Sequence, residues 1–311
     1  MAGDAGTKAQ VGLLSALLAF AENLRPRQWT KNLILFAGVM FSQTIGEGLF
    51  FARALAGCLI YCFASGAIYV FNDVKDVALD LQHPHKRLRP IPSGRLPVAQ
   101  AVWMASILSL LCLVAAWLLG PTFAAVTLVF LLLNLSYSQW LKRFVILDVT
   151  GIALSFVLRA VASVEVLRPV SPDIQLSKWL ILCTFFLSLF LGFAKRRSEL
   201  IKIKPAGNET RPALAGYTEP LLNLLIGITF TMTLMVYTFY TVWPTTVAHF
   251  GTTNLVLTLP FVFYGMGRYL FLVYRGGRGG RPHEILLDDW AIQLAVLGWV
   301  AVVFMIIDLR R

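Results

Sequence analysis

Long apolar runs, parted by short polar and basic stretches, recur along almost the whole chain. Each run is near the roughly 20 residues that an α-helix needs to cross the hydrocarbon of a bilayer. They predict nine transmembrane helices, near 32–50, 52–72, 98–118, 121–140, 145–165, 178–195, 219–242, 253–273 and 287–307. Gln43, Gly46 and Glu47 interrupt the first of these. Ahead of it, Val11 to Phe20 is apolar but short, and no charged flank or small-residue cleavage site frames it as a signal peptide. It reads as an amphipathic helix on the membrane surface. Residues 1–31 thus form an amphipathic, basic cytoplasmic segment, and residues 32–311 an all-α polytopic membrane domain. Lys204 to Tyr217 and Arg275 to Pro282 carry Gly and Pro and are predicted loops. No repeat and no separate soluble domain is evident.

Composition turns that pattern into a statement about solvent. Apolar residues make up 58% of the chain, charged residues 14%, and the mean hydropathy is +0.72. A soluble protein of 311 residues has no interior large enough for that much apolar surface, so lipid must cover much of it. The net charge of +11 sorts by loop: 20 of the 27 Lys and Arg fall in the N-terminal segment or after spans two, four, six and eight. Arg53, Arg168, Lys178, Arg310 and Arg311 fall on the other side, and Arg159 and Arg268 fall within spans. This bias places the N-terminus and the even-numbered loops in the cytoplasm, beneath a bacterial inner membrane. Basic loops also suit an anionic substrate such as a phosphate or diphosphate. Their shortness argues against a nucleic-acid partner. Cys58, Cys62, Cys112 and Cys183 lie in apolar runs without a CxxC pair, which argues against a disulfide or a metal–thiolate site. His83 and His85 lack zinc-ligand spacing. No GxxxG seam marks a self-association face, and a homo-oligomer stays open.

The chemistry concentrates in Asn72 to Gly94, NDVKDVALDLQHPHKRLRPIPSG, at the cytoplasmic end of predicted span two. On a helix, the i, i+3, i+7 spacing of Asp73, Asp76 and Asp80 puts three carboxylates on one face, with Asn72 beside it. Like charges so arranged repel one another and call for a cation, and hard oxygen donors suit Mg²⁺. A solvated acidic helix end has the same residues. This one, however, abuts an apolar span and is followed at once by Lys86, Arg87 and Arg89. Carboxylates beside a basic cluster are the parts of a metal–diphosphate site. Elsewhere, Arg159 lies within a span, where a cation is costly unless functional or paired, with Asp148 as one candidate partner. Lys31 is either a phosphate ligand or a snorkelling anchor. Lys195 and Glu199 have the spacing of a helix salt bridge, and Tyr217 is a candidate hydrogen-bond donor to substrate.

N-D-x-x-D-x-x-x-D followed by H-P-x-K-R-x-R-P-I-x-S-G resembles the first signature of the UbiA superfamily of membrane transferases, and the resemblance extends over nearly the whole chain. Superfamily members that transfer a prenyl group carry a second Asp-rich motif at the end of span six. Phe193-Ala194-Lys195-Arg196-Arg197-Ser198-Glu199-Leu200 stands there in this chain, without an aspartate. Arg25-Pro26-Arg27-Gln28-Trp29-Thr30-Lys31-Asn32 and Lys195 to Leu200 are instead similar to the R-P-x-Q-W-x-K-N and K-R-x-x-E-L segments of the decaprenyl-phosphate phosphoribosyltransferase branch. Asn134 to Ser138, Phe156 to Ala160 and Leu176 to Trp179 look similar too.

The resemblance implies transfer of a 5-phosphoribosyl group from 5-phosphoribosyl 1-diphosphate to a polyprenyl phosphate, with Mg²⁺ held by Asp73, Asp76 and Asp80. Lys31, Asn72, Lys86, Arg87, Arg89, Arg159, Lys195, Arg196 and Glu199 are the implied substrate contacts, with Lys195 and Arg196 taking the place of a second metal site. The acceptor phosphate is already an anion, so the reaction needs no protein nucleophile and no strong base. Positioning and charge stabilisation would carry it, through an oxocarbenium-like state at C1 and with inversion. Two rival readings are a UbiA-type prenyltransferase acting on an aromatic or polyol acceptor, and a transporter of an anionic solute. Against the transporter, the charged groups gather at one face rather than at mid-membrane.

Overall fold

The computed structural model describes residues 12–42, 44, 46–174, 177–203, 212–276, 285 and 288–308. Val11, Leu176, Arg310, Arg311 and the predicted loop residues 204–211 and 277–282 lie outside these. The described chain is helical throughout. Helix α1 (Leu13–Asn23) and a 3-10 run (Pro26–Phe36) lead into the short α2 (Ala37–Phe41). Then come α3 (Gly48–Lys75), α4 (Val77–Gln82), α5 (Val98–Leu119), α6 (Pro121–Gln139), α7 (Leu147–Glu165) and α8 (Lys178–Ile203). The brief α9 (Pro212–Ala215) precedes α10 (Glu219–Val242), α11 (Pro244–Phe250), α12 (Leu259–Gly276) and α13 (Trp290–Asp308).

Among the described residues seven helices are long and apolar enough to cross a membrane, and Trp290–Ile306 is a shorter apolar helix. The chain is a multi-pass integral membrane protein. Spans two to eight of the sequence prediction correspond to those seven, most to within a few residues at each end. The first predicted span is not a span-length α-helix. Residues Pro26–Phe36 wind as a 3-10 run and only Ala37–Phe41 is α-helical. Pro26 at the first position suits a helical start, and an eleven-residue 3-10 run is long for a geometry usually confined to three or four residues. Asn32 explains part of it: it is 1% exposed, and its side chain donates to Cys62 Sγ on α3 at 3.4 Å. A polar residue held against a neighbouring helix keeps this stretch from presenting apolar side chains all round.

The chain divides into two compact units, residues 1–138 with 161–174, and residues 139–160 with 175–311. In the first, α3 packs along α5 and the 3-10 run. Its core joins Ala16, Ala19, Phe20 and Leu24 of the N-terminal segment to Ala67 and Val70 of α3 and to Leu96, Ala101 and Ala105. Helix α1 is apolar on its outer side as well, where Leu14, Leu17 and Leu18 are exposed. A helix buried by protein on one side and apolar on the other is suited to lipid rather than to a water-facing polar side. In the second unit α8 packs on α10 and α12 on α13, over a core that includes Val149, Phe190, Phe193, Leu222, Ile226, Tyr269 and Ile292.

Two cations that the charge count places on the minority side have local work. Arg53 donates from Nε to the Val166 carbonyl at 2.8 Å and from Nη2 to the Leu119 carbonyl, closing the C-terminal end of α5. Arg168 pairs with Glu165 through two 2.8 Å bonds. In the same unit α2 comes so close to α7 that a Cβ at Gly38 would fall on the Ser163 carbonyl. Gly38→Val is therefore expected to destabilise the protein by about 1–3 kcal/mol, read as a lower unfolding midpoint in detergent. An unchanged midpoint would contradict this close approach.

Candidate active site

The aspartates of the Asn72–Gly94 stretch lie on two helices rather than one. Helix α3 ends at Lys75, because the backbone leaves the helical region at Asp76 (φ −94°, ψ 10°), and α4 begins at Val77. The Asp76 N–H still donates to the Asn72 carbonyl at 2.9 Å, and the Asp80 N–H to the Asp76 carbonyl at 2.8 Å. The chain bends here without unwinding. Asp73 and Asp80 are each 2% exposed, and Asp76 is half-buried at the bend.

A buried carboxylate is costly unless a cation or several donors meet it. Arg89 Nη1 lies 3.0 Å from Asp73 Oδ1 and 2.7 Å from Asp80 Oδ2, so one guanidinium bridges the two helices. Arg25 pairs with the same Asp73 oxygen, and Lys86 Nζ stands 3.5 Å from Asp80 Oδ1. Asp73 Oδ2 is buried and has no hydrogen-bond partner among the described residues.

Local geometry sets each of these cations. Arg25 precedes Pro26, which disfavours the right-handed helical region, and it adopts φ 53° between α1 and the 3-10 run. Its guanidinium lies 5.1 Å from the centre of the Tyr69 ring. Trp29 donates to the Leu24 carbonyl at 3.3 Å and stands edge-on to Phe63, which anchors the run that follows. Arg89 opens a loop that turns back at Gly94, whose φ of +78° suits glycine, and the Leu96 N–H returns to the Pro90 carbonyl at 2.9 Å. Arg95 ties that loop to α1 through two bonds to Glu22, at 2.7 and 3.0 Å. The Arg95 guanidinium holds the Glu22 carboxyl below the ordinary glutamate range.

Among the described residues no three His, Cys, Asp or Glu side chains come together as a ready metal cage. Mg²⁺ commonly takes one or two carboxylates and completes its shell with water and substrate phosphate. Asp73 and Asp80 meet that requirement, and Asp73 Oδ2 is an oxygen still open to a ligand. Of the other expected contacts in this unit, Lys31 is half-buried on the 3-10 run, Asn72 is half-buried at the end of α3, and Arg87 is exposed beside Lys86. Arg25 is a member of the cluster that spacing alone does not reveal. Its signals are its place before a proline and at the head of the R-P-x-Q-W segment.

The second unit has an ion network of its own. Arg196 is 2% exposed; its Nε lies 2.5 Å from Asp148 Oδ2 and its Nη1 2.7 Å from Glu199 Oε2. Lys195 approaches Glu199 at 3.9 Å, the i, i+4 pair that the spacing predicts. Asp148 also accepts from the Tyr217 hydroxyl at 2.7 Å, and that hydroxyl accepts from the Ile146 N–H at 2.7 Å. Tyr217 is thus an internal brace. Burial, followed by its bond to the Asp148 carboxylate, pushes its hydroxyl well above the ordinary tyrosine range. Ile146 has φ 67°, and the Leu147 N–H bonds to the Val145 carbonyl across it at 2.8 Å. That is a γ-turn with a β-branched residue at its strained centre, a state that costs about 1–3 kcal/mol. Arg159 is 5% exposed and donates to the Ser155 carbonyl and hydroxyl at 2.9 and 2.8 Å.

Tyr217→Phe removes the acceptor for the Ile146 N–H and one donor to Asp148. It is expected to cost about 1–3 kcal/mol, measured from the unfolding midpoint. The sign of the pH effect follows from the raised hydroxyl. Its contribution is complete below the ordinary tyrosine value of 10 and is lost as pH rises through the higher folded value. The wild type is expected to lose stability as pH rises beyond about 10 toward the higher folded value, and the variant to lack that component.

Comparison with known proteins places this geometry in context. The model of the UbiA prenyltransferase family matches residues 32–282. A protein of Mycobacterium tuberculosis described as decaprenyl-phosphate phosphoribosyltransferase is 31% identical over 307 residues, covering 97% of this chain and 98% of that protein. Its namesake from Corynebacterium glutamicum is 32% identical over 292 residues, covering 91% and 84%. Among solved structures, a UbiA homolog from Archaeoglobus fulgidus bound to DMAPP and Mg²⁺ matches the fold with a TM-score of 0.69 at 18% identity, covering 93% of this chain and 99% of that one. The matched span, the near-full-length relatives and the shared fold agree, and the chain belongs to the UbiA family of membrane transferases.

Proposed function

We propose that the chain transfers a 5-phosphoribosyl group from 5-phosphoribosyl 1-diphosphate to a polyprenyl phosphate and releases diphosphate. The observation that carries this reading is the convergence of Arg25, Lys86 and Arg89 on the buried Asp73 and Asp80. Three cations gathered on two acids at a helix end supply donors for a diphosphate, and two of them are guanidiniums with fork geometry. The phosphoribosyltransferase relatives support the choice of donor and acceptor. The absence of aspartate from Lys195 to Leu200 argues against a prenyl-diphosphate donor.

In this reading Asp73 and Asp80 would hold Mg²⁺, which when bound supplies positive charge to the phosphate oxygens of the donor. Arg25, Lys86 and Arg89 bind the diphosphate oxygens and neutralise the charge that grows there as the bond from C1 to the leaving oxygen breaks. An oxygen of the acceptor phosphate forms the new bond to C1, and no proton has to be removed from it. Lys31, Asn72, Asp76 and Arg87 are proposed as further contacts in the first unit. Arg159, Lys195, Arg196 and Glu199 of the second unit are proposed on the family resemblance. We place the reacting face on the cytoplasmic side of a bacterial inner membrane, on the asymmetry of Lys and Arg.

Turnover of labelled 5-phosphoribosyl 1-diphosphate with polyprenyl phosphate by purified protein tests the proposal. A labelled lipid that requires Mg²⁺ is expected. Arg89→Ala is expected to lower kcat/KM by roughly 100-fold or more. Arg89→Lys should restore little of it, because an ammonium cannot offer the diphosphate oxygens the paired, planar donors of a guanidinium fork. Prenyl transfer to an aromatic acceptor, without any phosphoribosyl transfer, would overturn the reading.

A further inference from the structure

Helices α12 and α13 of the second unit enclose a groove of about 330 Å³ lined by Pro260, Phe261, Tyr264, Trp290, Leu294 and two alanines. Its existence follows from residue size. Ala291 and Ala295 are buried at its floor, and Gly298 of α13 gives the Phe261 ring the space that a Cβ would fill. Trp290 (69% exposed), Leu294 (57%) and Tyr264 (52%) form open walls. Apart from the tyrosine hydroxyl and the indole N–H, the lining side chains are hydrocarbon, so the groove suits a lipid chain rather than a solute.

One end of the same helix face is basic. On α12, Phe261, Tyr264, Arg268, Phe271 and Arg275 follow one another at intervals of three or four residues and form one stripe. Arg268 and Arg275 each lie 5.4 Å from the centre of the Phe271 ring between them. Arg268 is already neutralised, because its Nη2 lies 2.9 Å from Asp289 Oδ2. Asp289 is also committed to the start of α13, where it accepts from the Ile292 N–H at 3.0 Å. Arg275 is exposed and has no acidic partner among the described residues. Asp288, also exposed, pairs with neither arginine among the described residues. Trp290 and Tyr264, beside the ion pair, are residue types that favour the level of the lipid headgroups.

We infer that this groove is a binding site for an anionic phospholipid of the surrounding bilayer, with an acyl chain between Phe261 and Leu294 and the phosphodiester at Arg275. The charge count favours that occupant. Among the described residues one guanidinium here is uncompensated, and it complements the single negative charge of a phosphodiester, whereas a phosphomonoester carries between one and a half and two charges near neutral pH. The site lies wholly within the second unit, whereas the Asp73–Arg89 cluster belongs to the first.

Tryptophan fluorescence of the full-length protein in vesicles tests this. Phosphatidylglycerol or phosphatidylcholine with brominated acyl chains is mixed at low mole fraction into unlabelled phosphatidylcholine. The chain has eight tryptophans, so the signal of Trp290 is taken as the difference between wild type and Trp290→Phe. Brominated phosphatidylglycerol is expected to quench that signal at a mole fraction roughly fivefold lower than brominated phosphatidylcholine, the ratio that one charge contact near the surface provides. Arg275→Gln is expected to bring the two lipids level. Equal quenching by both lipids in the wild type would overturn the inference and leave an ordinary lipid-facing groove. Relief of quenching by unlabelled polyprenyl phosphate, but not by unlabelled phosphatidylglycerol, would overturn it too and assign the groove to a phosphomonoester.

Discussion

Charge buried at the end of a membrane helix is the constraint on which the first unit depends. Asp73 lies in the last turn of a long apolar helix and is 2% exposed, so burying its carboxylate is costly without cations in contact. The chain meets that demand from two directions. Arg25 arrives from the segment before the 3-10 run, and Arg89 from the loop after α4. Both connections carry backbone that the demand explains: a left-handed residue ahead of a proline in one, and a glycine with positive φ in the other. The cluster therefore organises the N-terminal segment and the polar loop around the end of α3. A small change at Asp73 should be felt in both.

The second unit solves the same problem differently. Its most buried cation, Arg196, is enclosed by Asp148 and Glu199, and Tyr217 fixes Asp148 from the other side. The strained turn at Ile146 belongs to that arrangement, since its N–H is what the Tyr217 hydroxyl accepts. A guanidinium held by two acids is rigid, always charged and independent of any added ion. It stands in the stretch where the resemblance sets this chain, which has no aspartate from Phe193 to Leu200, apart from members with a second Asp-rich motif. Such a difference fits a donor whose chemistry is not that of a prenyl diphosphate.

Much of this was legible in the chain, for identifiable reasons. Spans such as 98–118 and 219–242 follow from apolar length alone, which is why helices Val98–Leu119 and Glu219–Val242 match them closely. The segment 32–50 misled because composition does not separate a 3-10 run from an α-helix, and the buried Asn32 looks like any polar interruption. The residue types of the candidate site stand out in Asn72 to Gly94, but the bend at Asp76 does not, since neither glycine nor proline marks it. Nor does spacing reveal a pairing across 48 residues, which is the separation of Arg25 from Asp73 and of Asp148 from Arg196. Spacing offers Asp148 as one candidate partner for Arg159 on the same helix, but it does not reveal the bonds of that acid to Arg196 and Tyr217.

The central claim is that the Asp73–Arg89–Asp80 cluster takes a diphosphate together with Mg²⁺. Calorimetric titration of the detergent-solubilised protein with inorganic diphosphate, with and without Mg²⁺, addresses it without requiring turnover or a lipid acceptor. The account predicts saturable binding that strengthens with Mg²⁺ in the wild type, loses that Mg²⁺ dependence in Asp73→Asn, and weakens in Arg89→Ala whether or not Mg²⁺ is present. Binding that is indifferent to Mg²⁺ and unchanged in both variants would contradict it.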